Sequence, residues 1–353
     1  MKKTNIIYRG LLKSLMRMPL EERYLLILVG SMLLVSILFS FGNFSFYQYA
    51  LTAFAGFKIY FSWFFLAILM LPFAFFASVM IIIYKINFIS DYDGSGKDFM
   101  KYFKKFARDI CLALLIIAIF IFFAIISGII LEPAHSRLVN QQIYDFEKGI
   151  FHVLPSIWLH SGSNPLQRIL EYLSPITLLM FRSFVTVTAA TVGLFLITKN
   201  YQLVLKMTTA FTVGMIMALA IWYTLPINSP NNFYIQEKLV EENYRPNKTT
   251  DDFQKAVYLA QKENKPITTI PSMHVLWAAI IVFYLGYYRK WLLFIAIPWF
   301  LFLYLGTFYF AQHYLIDGLL SLPLAGVAIL LSEVFVKKAL HRSQGAKKNL
   351  PSK

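Results

Sequence analysis

The chain of 353 residues is 58% hydrophobic and 14% charged, against roughly 25% charge in an average soluble domain, which leaves too little polar surface to cover a water-soluble globule. Its 34 Phe and 21 Tyr suit lipid-facing helices and the aromatic belts of membrane interfaces. A formal charge of +15 would fit a nucleic-acid binder, but the basic residues stand in short clusters between apolar runs, so the charge reports orientation in a membrane and no nucleic acid is expected as a partner.

Eight apolar runs are long enough to cross a bilayer as helices: about 24–44, 59–84, 110–131, 175–198, 204–226, 272–288, 291–312 and 314–336. The expected fold is therefore all-α, a polytopic membrane helix bundle of about eight transmembrane helices. Four regions follow. Residues 1–131 form an N-terminal transmembrane region of three spans with basic ends. Residues 132–174 form a loop or surface helix on the outer side, 175–336 a transmembrane core, and 337–353 a basic cytoplasmic tail.

The first run follows 23 residues carrying six Lys or Arg and has no convincing small-residue cleavage site after it, so it reads as an anchor rather than a removed signal peptide. Eight spans that begin inside leave 22 Lys and Arg on the cytoplasmic side and 10 on the outer side. This bias puts both termini in the cytoplasm and the segments 45–58, 132–174 and 227–271 outside. The single cysteine, Cys111, opens an apolar run, so neither an intrachain disulfide nor a cysteine metal site is available.

Between the second and third spans, Asp91-Tyr92-Asp93-Gly94-Ser95-Gly96 imitates the start of a calcium loop. Its twelfth position is Tyr102, where the bidentate carboxylate should stand, so the segment reads as a cytoplasmic turn. The outer segment 132–174 scatters His135, His152 and His160 among apolar residues, and Pro155, Gly162 and Pro165 interrupt any long helix. A surface helix or lid fits this composition better than a metal site.

The chemistry gathers further on. Pro271-Ser272-Met273-His274 stands at the outer mouth of the sixth span, and His313 with Asp317 stands where the seventh ends and the eighth begins. His313 and Asp317 are four residues apart, so on a helix they share a face. The carboxylate can then accept from one imidazole nitrogen, fix the tautomer and offset the charge the ring gains when the other nitrogen attacks. Ionisable groups within spans are costly and mark functional sites, and a second His at the same depth strengthens that reading.

Pro271-Ser272-Met273-His274, followed after one hairpin by His313-Tyr314-Leu315-Ile316-Asp317, resembles the second and third signature motifs of the type 2 phosphatidic acid phosphatase (PAP2) superfamily. Thr307 to Asp317, reading TFYFAQHYLID, is similar to the inositol phosphorylceramide synthase branch and to the sphingomyelin synthases. The superfamily's usual third motif carries Ser-Arg where this chain has Gly306-Thr307, which favours the transferase branch over an ordinary phosphatase. Lys238 with Arg245-Pro246 matches the superfamily's first motif, in the outer loop upstream of Pro271.

The resemblance implies a six-helix PAP2-like core in the C-terminal two-thirds, and His313 as a nucleophile that forms a phosphohistidine. It further implies Asp317 as the group that orients His313 and His274 as the acid that protonates the leaving alkoxide. Ser272, Lys238 and Arg245 would hold the phosphate, with Arg182, near the outer end of the fourth span, as a further cation. No metal and no cofactor is expected. The partners would be membrane lipids: a phospholipid or lipid phosphate as donor, and a lipid hydroxyl or water as acceptor. A transporter would instead place charges near the bilayer midplane and show internal repeats, and the sequence has neither feature.

Overall fold

The computed structural model describes residues 139–152, 154–159, 165–230 and 270–348. The first three expected spans, Cys111, the turn at 91–96, His135, His160, Lys238, Arg245 and residues 349–353 lie outside the described residues. Among those described, the chain is helical and has no strand.

Helix α1, Asn140–Phe151, buries Asn140, Tyr144 and Glu147, spaced four and three apart so that one face turns inward. Phe146, Ile150 and Phe151 stay exposed. The helix ends at His152, which takes φ 61, the left-handed conformation that commonly closes a helix. A single turn, α2 at Pro155–Trp158, follows.

The expected fourth span is a bent pair. Helix α3 (Pro165–Arg182) and helix α4 (Phe184–Ile197) break at Ser183, and the apolar parts on either side meet at 49°. The Ser183 hydroxyl bonds back to the Met180 carbonyl at 2.8 Å and accepts the Trp299 indole N–H at 2.9 Å. A hydroxyl that competes for a carbonyl of the helix ladder is a recognised cause of such a bend.

Helix α5 (Tyr201–Thr224) returns after a tight turn in which Lys199 adopts φ 60. Asn200 and Lys199 there donate their N–H groups to the carbonyls of Phe195 and Leu196. Helix α6 (Met273–Tyr288) passes through a short 3-10 turn, Lys290–Leu292, into α7 (Leu293–Tyr309). Helix α8 runs from Leu315 to Lys348, so the expected tail is a helical continuation of the last span through residue 348.

Helix α5 is the centre of the bundle: 61% of its apolar stretch is buried, against 28% for α7 and for α8. The core holds Phe195, Met207, Ala210, Leu276, Ile280, Tyr284 and Leu303, all fully buried. At one end Lys206 of α5 pairs with Glu333 of α8 at 2.6 Å. The outward faces of α7 and α8 bare Phe294, Ile295, Leu301, Leu330 and Val334. A continuous apolar exterior of this kind is stable against acyl chains and not against water.

Among the described residues three stretches, Tyr201–Thr224, Lys290–Tyr309 and Leu315–Leu340, are long and apolar enough to cross a membrane, or four if the bent pair is counted as one span. The chain is an integral membrane protein. Helix α6 is equally apolar but has 16 residues, about 24 Å at 1.5 Å per residue, and is shorter than a hydrocarbon core of roughly 30 Å.

Candidate active site

The turn between α7 and α8 is set by the way α7 stops. Ala311 adopts φ 51, and its N–H donates to the Phe308 carbonyl at 3.0 Å while the Gln312 N–H donates to the Thr307 carbonyl at 3.0 Å. These two bonds close the helix in a Schellman motif. The His313 N–H donates to the same Thr307 carbonyl at 3.0 Å, so the backbone of His313 is tied to the last turn of α7. A left-handed alanine costs about 1–2 kcal/mol, which the packing of fully buried Phe310 and Ala311 must offset.

Helix α8 opens two residues later and brings Asp317 into its first turn, fully buried. One carboxylate oxygen accepts the Tyr314 N–H at 2.8 Å and lies 3.3 Å from His313 Nδ1. That distance is at the long end for a hydrogen bond, as is common before a ligand tightens a site. The Nδ1 contact fixes the ring's orientation toward the Asp317 carboxylate.

The second histidine comes from another helix. Ser272 caps α6, its hydroxyl oxygen accepting the Val275 N–H at 3.5 Å. His274 follows in the first turn, partly exposed. Its ring lies 4.8 Å from Phe181 and 5.4 Å from Phe184, on either side of the α3–α4 bend, and 6.0 Å from the His313 ring, edge to face. The Trp222 indole donates to the Pro271 carbonyl at 3.3 Å and anchors this loop to the end of α5.

Ser321, one helical turn beyond Asp317, shares its hydroxyl proton between the Asp317 carbonyl at 2.6 Å and the Ser272 carbonyl at 3.1 Å. It stitches the segment of His274 to the helix of Asp317. Two glycines permit the close packing around the site. A Cβ on Gly306 would stand 3.2 Å from the Thr177 methyl and 3.3 Å from Phe181 Cβ, and any side chain on Gly318 would overlap the Tyr304 ring.

A further carboxylate joins from α1. Glu147 is buried, and its Oε1 accepts the Ile316 N–H at 2.9 Å, at the N-terminus of α8. Burial pushes its carboxyl up to about 7, opposed by the Ile316 N–H, with the nearby Asp317 charge adding to the rise. Helix α1 is held to the same end by the Val139 N–H on the Pro226 carbonyl at 3.1 Å and by the Asn228 N–H on the Asn140 side chain at 2.8 Å. Tyr144 and Leu154 pack there against Ile227, Ile270 and Tyr314.

Of the residues singled out in the sequence, His313, Asp317, His274 and Ser272 come together at one end of the bundle. Arg182 ends α3, between Phe181 and the Ser183 bend, half-buried. His152 is exposed and stands apart. Lys238 and Arg245 lie outside the described residues. Among the described residues no group of three His, Cys, Asp or Glu side chains is gathered as a metal site.

Glu147 and Ser321 were not anticipated. Ser321 carries a faint signal, four residues after Asp317 on the same face. Glu147 carries one in its helical spacing from Asn140 and Tyr144, which puts an acid on the inward face.

No curated protein and no solved structure matches the chain. The model of the PAP2 superfamily matches residues 157–331, a segment that holds His274, His313, Asp317, Ser272, Ser321 and Arg182 but not Glu147. The match is to the superfamily rather than to one of its branches.

Proposed function

We propose that the chain is an integral membrane lipid phosphotransferase working through a phosphohistidine on His313. The observation that carries this reading is the contact of His313 Nδ1 with the buried Asp317 carboxylate at 3.3 Å, with the His274 ring 6.0 Å away. His313 Nε2 attacks the phosphorus of a phospholipid or lipid phosphate, and the bond to the leaving oxygen breaks. His274 gives that alkoxide its proton. Asp317 holds the ring and offsets its positive charge.

In the second half the neutral His274 takes a proton from the acceptor hydroxyl, which attacks phosphorus and restores His313. A lipid hydroxyl as acceptor gives headgroup transfer of the inositol phosphorylceramide synthase type. Water gives a lipid phosphate phosphatase of phosphatidate or polyprenyl-phosphate type. The Gly306-Thr307 pair at the place of the usual Ser-Arg favours transfer.

Negative charge on the phosphate is met by Ser272 and Arg182, with Lys238 and Arg245 from the outer loop. The site faces the non-cytoplasmic side, with both termini in the cytoplasm, as the Lys and Arg distribution favours. The shortness of α6 suits a site sunk slightly below the membrane surface, at the depth of a lipid phosphoester.

The test is mass spectrometry of lipids after the purified protein meets phosphatidylinositol or phosphatidate, with and without ceramide or diacylglycerol. Transfer predicts a new phospholipid only when the acceptor lipid is present. Release of phosphate or headgroup phosphate irrespective of acceptor would establish the hydrolase instead, and no turnover of either donor would reject both.

A further inference from the structure

The first turn of α8 has a carboxylate that the phosphoryl-transfer chemistry does not use. Glu147 comes from α1, 169 residues earlier in the chain, and its side chain accepts the N–H next to Asp317. It is 1% exposed. Helix α1 bridges two segments of the site: its first turn is bonded to Pro226 and Asn228, and Glu147 is bonded to α8. Phe146, Ile150 and Phe151 remain outside, as suits a helix lying at the surface of the lipid.

We propose that Glu147 is a positioning residue for the His313–Asp317 pair, and that its protonation clamps the surface helix α1 onto the N-terminus of α8. A neutral carboxyl can stay buried there and accept the Ile316 N–H. An ionised one would sit beside the Asp317 carboxylate with little water, and repulsion together with lost hydration would drive α1 off. Among the described residues the other groups facing the pair give no countercharge: Tyr304 of α7 and Tyr314 of the turn carry phenols, which are uncharged near neutral pH. His313 faces Asp317 itself, and Lys148, on α1, lies over the Tyr144 ring. The described residues 226–230 and 270–272 bring no ionisable side chain.

The sign follows from burial. A carboxyl raised from 4.5 to about 7 binds its proton more tightly when docked. Its contribution to docking is therefore full below 4.5 and is lost as pH rises through about 7. The inference on positioning rests on the phosphohistidine reading, whereas the clamp itself does not. Glu147 also lies outside the segment matched to the superfamily.

The experiment uses the full chain in lipid nanodiscs and two readouts between pH 5.5 and 8.5. The first is hydrogen exchange at the Ile316 amide, corrected for intrinsic rate. The second is alkaline-quench trapping of phosphohistidine from labelled phosphatidate. Wild type should lose Ile316 protection, and trapping rate with it, as pH rises through about 7. Glu147→Gln keeps an acceptor without a titrating proton, so Ile316 protection should no longer depend on pH and trapping should lose that part of its fall. Glu147→Ala should lower protection about tenfold relative to docked wild type at pH 5.5, the worth of one lost helix cap, and leave it independent of pH. PH-independent protection in wild type, or a wild-type pH profile in Glu147→Gln, would overturn the clamp. Wild-type trapping in both variants would overturn the positioning role. Absence of any trapped phosphate in wild type would reject the phosphohistidine reading and leave the exchange measurement to decide the clamp.

Discussion

The Ser321 hydroxyl reaches the Ser272 carbonyl at 3.1 Å while also bonding the Asp317 carbonyl at 2.6 Å. It is a direct link between the segment carrying His274 and the helix carrying Asp317. Ser321→Ala removes one neutral, shared hydrogen bond, so stability should fall by about 1 kcal/mol. Turnover should fall more than that, by roughly tenfold or greater, because small displacements of reacting groups are costly. Thermal unfolding and turnover on one preparation separate the two effects; equal small losses in both would make Ser321 a packing residue only.

The two histidines are expected to fail differently. His313→Ala should abolish covalent phosphoryl-enzyme, since the Asp317 contact singles out that ring as the nucleophile. His274→Ala should slow a substrate with an alkyl leaving group by roughly 10² to 10⁴, and an aryl phosphate, which departs without a proton, far less. Alkaline-quench trapping beside turnover on both substrates is the measurement. Phosphohistidine surviving in His313→Ala, or equal losses on both substrates in His274→Ala, would reject this division of roles.

Ala311 holds the turn in a left-handed conformation at φ 51 with no exposed surface. Ala311→Gly should change stability by less than about 1 kcal/mol, because relief of backbone strain is offset by the lost methyl. Ala311→Val should destabilise by about 3 kcal/mol or more, from a β-branched left-handed residue and overpacking together. Unfolding midpoints in detergent decide between them. A Val variant as stable as wild type would mean that the turn relaxes freely.

Orientation is open to a direct test. In a Cys111→Ala background, Asn231→Cys should react with an impermeant thiol reagent in intact cells, and Ser343→Cys only after permeabilisation. The opposite pattern would invert the arrangement and put the site on the cytoplasmic face.

Much of this protein is legible before folding. Apolar runs of about 20 residues, with no water in the bilayer to satisfy a bare backbone, force helices, and the described part is helical throughout. The His313–Asp317 relation is also local, since four residues on a helical path share a face whatever surrounds them. The pair could be read from spacing, although His313 proves to stand in the preceding turn rather than in α8 itself.

What the sequence could not give is set by contacts between residues far apart in the chain. The bend at Ser183 carries a bond from Trp299, 116 residues away, and a run of apolar residues from 175 to 198 reads as one span because periodicity carries no sign of a distant indole. Ser321 becomes a link only because α6 ends against α8, and 49 residues separate it from Ser272. Glu147 looks like one acid of a surface helix until α1 folds over the α7–α8 turn and shuts it away from water. The sequence by itself determined that the described part is membrane helix and that His313 and Asp317 stand close together, because hydropathy and helical spacing are local. The tertiary structure alone decided that Ser321 links Ser272 to Asp317 and that Glu147 closes over the turn, because burial and long-range hydrogen bonds exist only once the helices have packed.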